Sequence, residues 1–351
     1  MDIISLLSLT KEKDASDLHI SSGAPPMNRI YGRLEKISDE IVTKEDVQKM
    51  LYSLLNDTQK ARFERDMELD FSIEIQDLAR FRVNAYSQRR GTSIAFRLIP
   101  DKIKPLKELG LPLTVEDIAL AENGFILVTG PTGCGKSTTL ATMIDIINQK
   151  RSKHIITIED PIEYVHHNKN SLIDQREIET NTKSFYGGLR SALREDPNVI
   201  LVGEMRDLET ISMALTAAET GHLVMATLHT NNAPQTINRI VDVFPPAQQQ
   251  QIRTQLADTL EGVISQILIP TIDEKARVCA CEVMVGNMAI KNMIREGKVQ
   301  QMPSLIQTGR REGMQTMDQS LEALVMEGKI TKQEAFKRAT NKSIFKEYSY
   351  M

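Results

Sequence analysis

The sequence predicts an α/β protein: a small mixed α+β domain, then a larger domain built on a parallel sheet. Three observations predict it. Beyond residue 115, apolar runs of four or five residues alternate with helical stretches. Fully apolar strands of that kind belong to parallel sheets covered on both faces. Before residue 100, strand-like runs alternate apolar with polar residues, as in a sheet with one wet face. Between the two lies a segment rich in proline and glycine, which marks a linker. A chain of 351 residues accommodates two or three domains at about 150 residues each.

The first domain is expected over 1–100. Its opening residues, from Met1 to Leu7, read as a short amphipathic helix without the positive segment of a secretory signal. Strands over 17–20 and 27–31 flank the turn-rich Gly23-Ala24-Pro25-Pro26. Thr43 can N-cap a helix reaching about residue 55, because Val47, Met50, Leu51, Leu54 and Leu55 recur at helical spacing. Strands follow over 69–75, 79–87 and 92–98. In the second of these, Phe81, Val83 and Ala85 face one way and Arg80, Arg82 and Asn84 the other. Pro100, Pro105, Gly110 and Pro112 mark the linker over 101–115. The second domain, 116–285, has buried strands at 125–128, 155–158, 199–202 and 223–227. Helices are predicted near 137–149, 184–195, 207–219 and 233–241, then a long helix over 247–267 and a strand over 277–285. The remaining 286–351 read as a helical region with a charged tail.

Composition narrows the function classes. Against 47 acidic residues stand 43 Lys and Arg, for a net charge of −4. That argues against a whole-chain electrostatic grip on nucleic acid or an anionic membrane. Trp is absent and aromatics are 5%, so platforms for stacking bases are poor. Three cysteines, an odd number, argue for a reducing compartment over a disulfide framework. No apolar run nears the roughly 18 residues of a membrane span. The expectation is a cytoplasmic protein without a transmembrane segment.

The chemistry concentrates in a few places. Gly130-Pro131-Thr132-Gly133-Cys134-Gly135-Lys136-Ser137 fits G-x-x-x-x-G-K-[ST], with a strand before it and a helix after. Glycines let backbone N–H groups converge on phosphate oxygens, and the helix N-terminus adds partial positive charge. Thr132, Gly133, Cys134, Gly135, Lys136, Ser137 and Thr138 are therefore the expected cradle of ATP. Lys136 reaches the β- and γ-phosphates, and the Ser137 hydroxyl can ligate Mg²⁺.

Phosphoryl transfer also needs a carboxylate near the metal and a group to orient water. The strand 199–202 ends in Gly203-Glu204, where a Mg²⁺-associated acid would project, although aspartate is more usual there. The strand 155–158 runs into Glu159-Asp160-Pro161-Ile162-Glu163, at the strand end where open α/β sheets bind ligands. Glu163 and Glu204 are the two candidate acids. His222 opens the fourth strand and His229 closes it, seven residues on, so the two are about 23 Å apart if extended at about 3.3 Å per residue. They cannot share a metal, and Cys279 with Cys281 does not complete a zinc set. Each histidine reads either as a hydrogen-bonded sheet-end residue or as part of the site. His229, on the edge with the carboxylates, is the better γ-phosphate sensor. Arg80, Arg82, Arg89, Arg90 and Arg97 crowd eighteen residues of the first domain. Two readings stay open for them: a solvated face, or arginine fingers for a nucleotide on another subunit, worth about 10³–10⁵ in rate.

Taken together, these motifs resemble those of the type IV pilus retraction ATPases of the secretion ATPase superfamily, over essentially the whole length. The matching stretches are 130–138, ITIEDPIEY over 156–164, DPNVILVGEMRDLET over 196–210, TGHLVMATLHTNNA over 220–233 and NRIVDVFP over 238–245. Ala289-Ile290-Lys291-Asn292-Met293-Ile294-Arg295-Glu296-Gly297-Lys298 is similar to the C-terminal signature of retraction motors. The assembly motors usually carry a four-cysteine zinc motif and a larger N-terminal region, and neither is seen here. The resemblance implies a PAS-like N-terminal domain, a RecA-like ATPase domain and a homo-hexameric ring using ATP and Mg²⁺. It implies Glu163 as general base and Glu204 as the Walker B acid, with the roles exchangeable, and Arg82 and Arg97 as inter-subunit arginines. Cys134 stands where serine is common, Lys291 where arginine is common, and Pro112 where some relatives place a further arginine. The function so implied is a motor pulling pilin subunits from the pilus base to drive twitching motility, peripheral at the inner membrane against a platform protein. Two alternatives are an accessory ring subunit tuning another pilus motor and a RecA-like nucleic-acid translocase.

Overall fold

The computed structural model describes residues 2–30, 33–100 and 102–348, apart from the side chains of 346–348. Tyr31, the last residue of one expected strand, lies outside the described residues, as do Met1, Asp101 and the end of the charged tail. The chain forms two compact units, residues 1–102 with 163–165, and 103–162 with 166–351.

The first unit contains α1 (Ile3–Glu12), β1 (Asp17–Ser21), β2 (Met27–Ile30), β3 (Arg33–Lys36), α2 (Lys44–Leu54), α3 (Asp57–Asp66), β4 (Glu68–Ile75), β5 (Ala79–Gln88) and β6 (Gly91–Ile99). The strands make one antiparallel sheet in the order β3-β2-β1-β6-β5-β4. Its apolar face, with Phe81, Val83, Ile94 and Phe96, buries Leu6 and Leu7 of α1 and Val47 and Leu51 of α2. Thr43 does cap α2, in a reciprocal capping box with Asp46, which satisfies donors the helix leaves open. The hairpin between β5 and β6 closes at Gly91, whose φ of +131° needs glycine. Four elements are not among those expected. The mostly polar α3 buries only Phe63, and β3 is exposed throughout, so neither carries an apolar pattern to read. Two short helices form in and just beyond the expected linker: α4 (Leu106–Leu109) and α5 (Thr114–Ala119).

The second unit continues with β7 (Gly124–Thr129), α6 (Lys136–Lys150), β8 (His154–Glu159), β9 (Leu172–Glu177), α7 (Phe185–Ala192), β10 (Val199–Val202), α8 (Leu208–Glu219), β11 (Leu223–Leu228) and α9 (Ala233–Asp242). Then come α10 (Pro246–Thr259), β12 (Leu260–Pro270), β13 (Arg277–Val285), α11 (Met288–Arg295), α12 (Met302–Thr308), α13 (Met317–Met326) and α14 (Lys332–Arg338). The sheet runs β13-β12-β7-β11-β10-β8-β9, parallel except for the antiparallel edge pair β12–β13. Successive strand residues feed opposite cores, as period 2 dictates. Phe125, Leu127, Ile200 and Val202 meet α7 to α12 on one side. Ile126, Val128, Leu201 and Met225 meet Leu140, Met143 and Ile144 of α6 on the other. A separate small core joins Ile269 and Ala280 to α13 and α14.

The expected helix over 247–267 is corrected. Helix α10 stops at Thr259, and residues from Leu260 form β12, alongside β7. Val263, Ile264, Ile267 and Ile269 are β-branched and lose rotamer freedom in a helix. In the sheet their branches pack against neighbouring strands.

Candidate nucleotide-binding site

Strand β7 is wholly buried, and its last residue hands the chain to the glycine-rich loop. Gly130 turns at φ +137°, and a Cβ there would stand 2.2 Å from the Gln266 carbonyl oxygen. No other residue fits that approach. Gly133 and Gly135 also take left-handed φ values, +76° and +91°, and Gly135 occupies the N-cap of α6 without any side-chain cap. The first-turn N–H groups of α6 are thus left for a ligand, with the positive end of the helix behind them. Lys136 Nζ donates to the loop carbonyls of Gly130 at 2.9 Å and Pro131 at 3.2 Å. Thr132 and Gly133 are exposed, and Ser137 and Thr138 half-buried in the first turn. Cys134 is buried, and burial pushes its thiol above the usual value, so it fills space as a neutral group.

Two residues that the sequence does not single out brace this loop. Gln266 on β12, 2% exposed, donates through Nε2 to the Cys134 carbonyl at 2.7 Å and accepts from Thr139 Oγ1 at 2.8 Å. Ser265 shares a hydrogen bond of 2.8 Å with Thr129 at the end of β7. The run of β-branched residues around them ending at Pro270 is the signal that could have placed them on a strand.

The parallel register brings the acids to the same end. Val202 of β10 pairs with Ala226 of β11, and Leu228 of β11 with Thr129, so Glu204 and His229 leave the sheet where the loop begins. They bond directly: His229 Nε2 donates to Glu204 Oε1 at 3.0 Å, while Arg206 donates to Oε2 at 2.6 Å. The Arg206 hydrogen bond foremost, with His229 adding to it, holds the Glu204 carboxyl below the ordinary carboxylate value. Glu204 is therefore an anion near neutral pH.

Strand β8 delivers Glu159 and Asp160 to this end of the sheet. Glu159 accepts from Thr157 Oγ1 at 2.6 Å and Gln175 at 3.2 Å, a structural use. Glu163 follows the cis Asp160–Pro161 bond and is exposed. His222 is not brought to this end. It sits before β11, at the opposite edge, where its Nδ1 donates to the Ala217 carbonyl at 3.0 Å. That is the sheet-end reading, and His222 has no place beside the P-loop of its own chain. Cys279 and Cys281 are buried thiols, and no metal-binding cluster of His, Cys, Asp or Glu occurs among the described residues. In the first unit, Arg82 and Arg97 are direct cross-strand partners, and Arg97 Nε bonds Asp17 Oδ1 at 2.9 Å.

Known proteins share both the sequence and this architecture. The type IV pilus retraction ATPase PilT of Pseudomonas aeruginosa is 51% identical over 97% of this chain and 98% of its own length. A twitching motility protein of Neisseria gonorrhoeae is 49% identical over 97% of this chain and 91% of its own. A crystal structure of the pilus retraction motor PilT with bound ADP superposes with a TM-score of 0.92 at 48% identity, covering 99% of each chain. The family described as Type II/IV secretion system protein matches residues 3–349. The chain belongs to the type II/IV secretion system protein family.

Proposed function

We propose that this chain is an ATP-hydrolysing motor that powers type IV pilus retraction, and hence twitching motility. The observation that carries the reading is the complete P-loop set beside the Glu204–His229 pair at one end of a parallel sheet. The near-full-length likeness to PilT supplies the task. Lys136 and the N–H groups of the loop and first turn of α6 bind the phosphates. Ionised Glu204 and His229 orient and polarise water at the γ-phosphate, with Glu163 as a second acid and the base role open between the two. Mg²⁺ rides on nucleotide phosphates with one or two protein ligands and several waters. The Ser137 hydroxyl and the Glu204 carboxylate fit so sparse a set, and the ion would neutralise charge developing on the phosphates.

The first unit supports a PAS-like assignment through its strand order, with α2 and α3 inserted between β3 and β4. The parallel sheet of the second unit supports a RecA-like one. The further reading is a ring of six such subunits at the cytoplasmic base of the pilus, against an inner-membrane platform protein, with Arg82 and Arg97 acting on a neighbour's nucleotide. No helix among the described residues is long and apolar enough to cross a membrane. The test pairs Lys136→Ala with a strain lacking this chain. The variant is expected to fold by circular dichroism yet release no phosphate, and the strain to keep its pili extended. ATP turnover is expected without nucleic acid, and a strict requirement for DNA would favour a translocase instead.

A further inference from the structure

Glu282 lies on β13, two strands from the P-loop strand, and is 8% exposed. A buried carboxylate needs donors, because isolated burial penalises the charged form. Two backbone N–H groups act on it, and each belongs to the first residue of a helix. The Ala233 N–H, opening α9, donates to Glu282 Oε1 at 2.8 Å, and the Met317 N–H, opening α13, adds a weaker electrostatic interaction. Such N–H groups have no partner within their own helix. The caps do not reach them either: Asn232 accepts from Gln235 N at 2.9 Å and Thr316 from Gln319 N at 3.2 Å. Glu282 takes what the caps leave. Burial pushes its carboxyl up, Asp318 adds to that, and the Ala233 hydrogen bond and the nearby Met317 N–H oppose it.

The consequence lies in what precedes Ala233. Only the turn of His229, Thr230, Asn231 and Asn232 separates it from β11. That turn is fixed at one end by Leu228 in the sheet and at the other by Ala233 on Glu282. Its middle is tied to α9 by Thr230 Oγ1 to Thr236 Oγ1 at 2.7 Å and by Asn231 N to Gln235 Oε1 at 3.3 Å. Displacing the start of α9 therefore displaces His229 relative to Glu204. Helix α13 is tied to β13 in turn, through Cys281 N to Ser320 Oγ at 3.1 Å and Gln315 Nε2 to the Cys281 carbonyl at 2.8 Å. Strand β13 thus holds the turn carrying His229 through Glu282 and holds α13, in the C-terminal helical region, through the neighbouring Cys281.

We propose that Glu282 is a positioning residue for ATP hydrolysis, holding the His229 turn against Glu204 from an anchor shared with α13. This rests on the assignment of Glu204 and His229 to the hydrolytic site. Phosphate release is measured against ATP concentration for the full chain and for Glu282→Ala, Glu282→Gln, His229→Ala and the double variant Glu282→Ala with His229→Ala. A misplacement near 1 Å can cost up to about a hundredfold in rate. Glu282→Ala is expected to lose about tenfold or more in kcat with KM for ATP within about twofold, because Gln266 and not Glu282 braces the P-loop. Glu282→Gln keeps an acceptor oxygen of the same size and should lose only about threefold. In the His229→Ala background, Glu282→Ala should lower kcat no further, since residues acting through one group are not additive.

Wild-type kcat in Glu282→Ala overturns the proposal, and so does a loss of kcat that adds fully to that of His229→Ala. A parallel loss in kcat and KM that Glu282→Gln does not relieve also overturns it, in favour of general disruption. If His229→Ala itself turns over normally, the site assignment fails and the role of Glu282 with it. If His229→Ala is slow and Glu282→Ala normal, only the present proposal fails. Should Glu282→Ala not fold, Glu282→Gln decides: its smaller loss must vanish in the His229→Ala background, and persistence of that loss overturns the role.

Discussion

His166 and Glu204 show how one chemical type of question, where a proton sits, has different answers at two side chains. His166 follows the acidic segment after β8 and is largely buried near Asp145, Lys169 and His167. Burial dominates and lowers its pKa to about 4, with Lys169 and His167 acting in the same direction and Asp145 against. The unfolded chain, with the ordinary histidine value of 6.5, takes up the proton first as pH falls. Stability is therefore intact above about pH 6.5 and is lost progressively down to about 4. At about 1.4 kcal/mol per unit, the loss from this group between pH 7 and pH 5 is about 2 kcal/mol. Urea unfolding at the two pH values should show that difference shrink by a similar amount in His166→Gln. At Glu204 the opposite charge is held, because Arg206 and His229 bond the ionised form. Glu204→Gln should bind ATP with near-normal affinity and hydrolyse it at least about tenfold more slowly, and Glu163→Gln likewise. Normal phosphate release from either variant would return that residue to a structural part of an acidic loop.

At the scale of elements, β12 decides how well the P-loop is held. Gln266 spans the Cys134 carbonyl and the Thr139 hydroxyl. Gln266→Leu keeps the size but strands both groups in a buried place, and each unmet group costs about 1–3 kcal/mol. The expected outcome is a nucleotide Kd raised by about tenfold or more, read by calorimetry with ADP, together with a lower Tm. Gly130→Ala should be more damaging, since its Cβ would meet the Gln266 backbone, which cannot swing aside as a side chain can. The same strand is where the fold is least legible in the sequence. Strands β7, β8, β10 and β11 are legible because each is a short, largely apolar run, with a helix after all but β8, which β9 follows. The loop is legible because its chemistry is local. The helix over 247–259 is legible too, but its end is not, because a buried helix and a buried strand present the same apolar run, and the β-branched residues after Leu260 are the one local sign of β12. Gln266, Arg206 and Glu282 are not legible for a related reason. Each takes its role from register or from a helix end brought near by the fold, and a lone polar residue in an apolar run announces neither. His222 and His229 bracket one strand and look alike in the sequence, whereas strand direction puts only His229 at the nucleotide end.

At the scale of the whole molecule, the question is whether one chain contains everything hydrolysis needs. Arg29, Asp17, Arg97 and Arg82 form a row across the sheet of the first unit, each register-paired to the next. Three cations against one acid make a positive stripe on the polar face. Asp17, almost buried, bonds Arg97 at 2.9 Å and lies 3.9 Å from Arg29, while the Arg97 side chain stays 69% exposed. Arg97 is thus aimed by a neighbour yet open to an outside anion, and Arg82 beside it is exposed as well. In a head-to-tail ring, a face of one subunit meets a different face of the next, so a finger on the first unit can serve a nucleotide on a neighbour. Arg97→Ala subunits keep the P-loop and lack the finger; Lys136→Ala subunits keep the finger and lack the P-loop. Each alone should be nearly inactive. Mixed in equal amounts, with mixed rings confirmed by mass, roughly one interface in four joins an intact finger to an intact P-loop. Phosphate release should then exceed that of both parents. Mixed rings no more active than their parents would remove the support for action in trans by Arg97. Full activity of Arg97→Ala on its own would leave the arginine row as a solvated face whose order comes from Asp17.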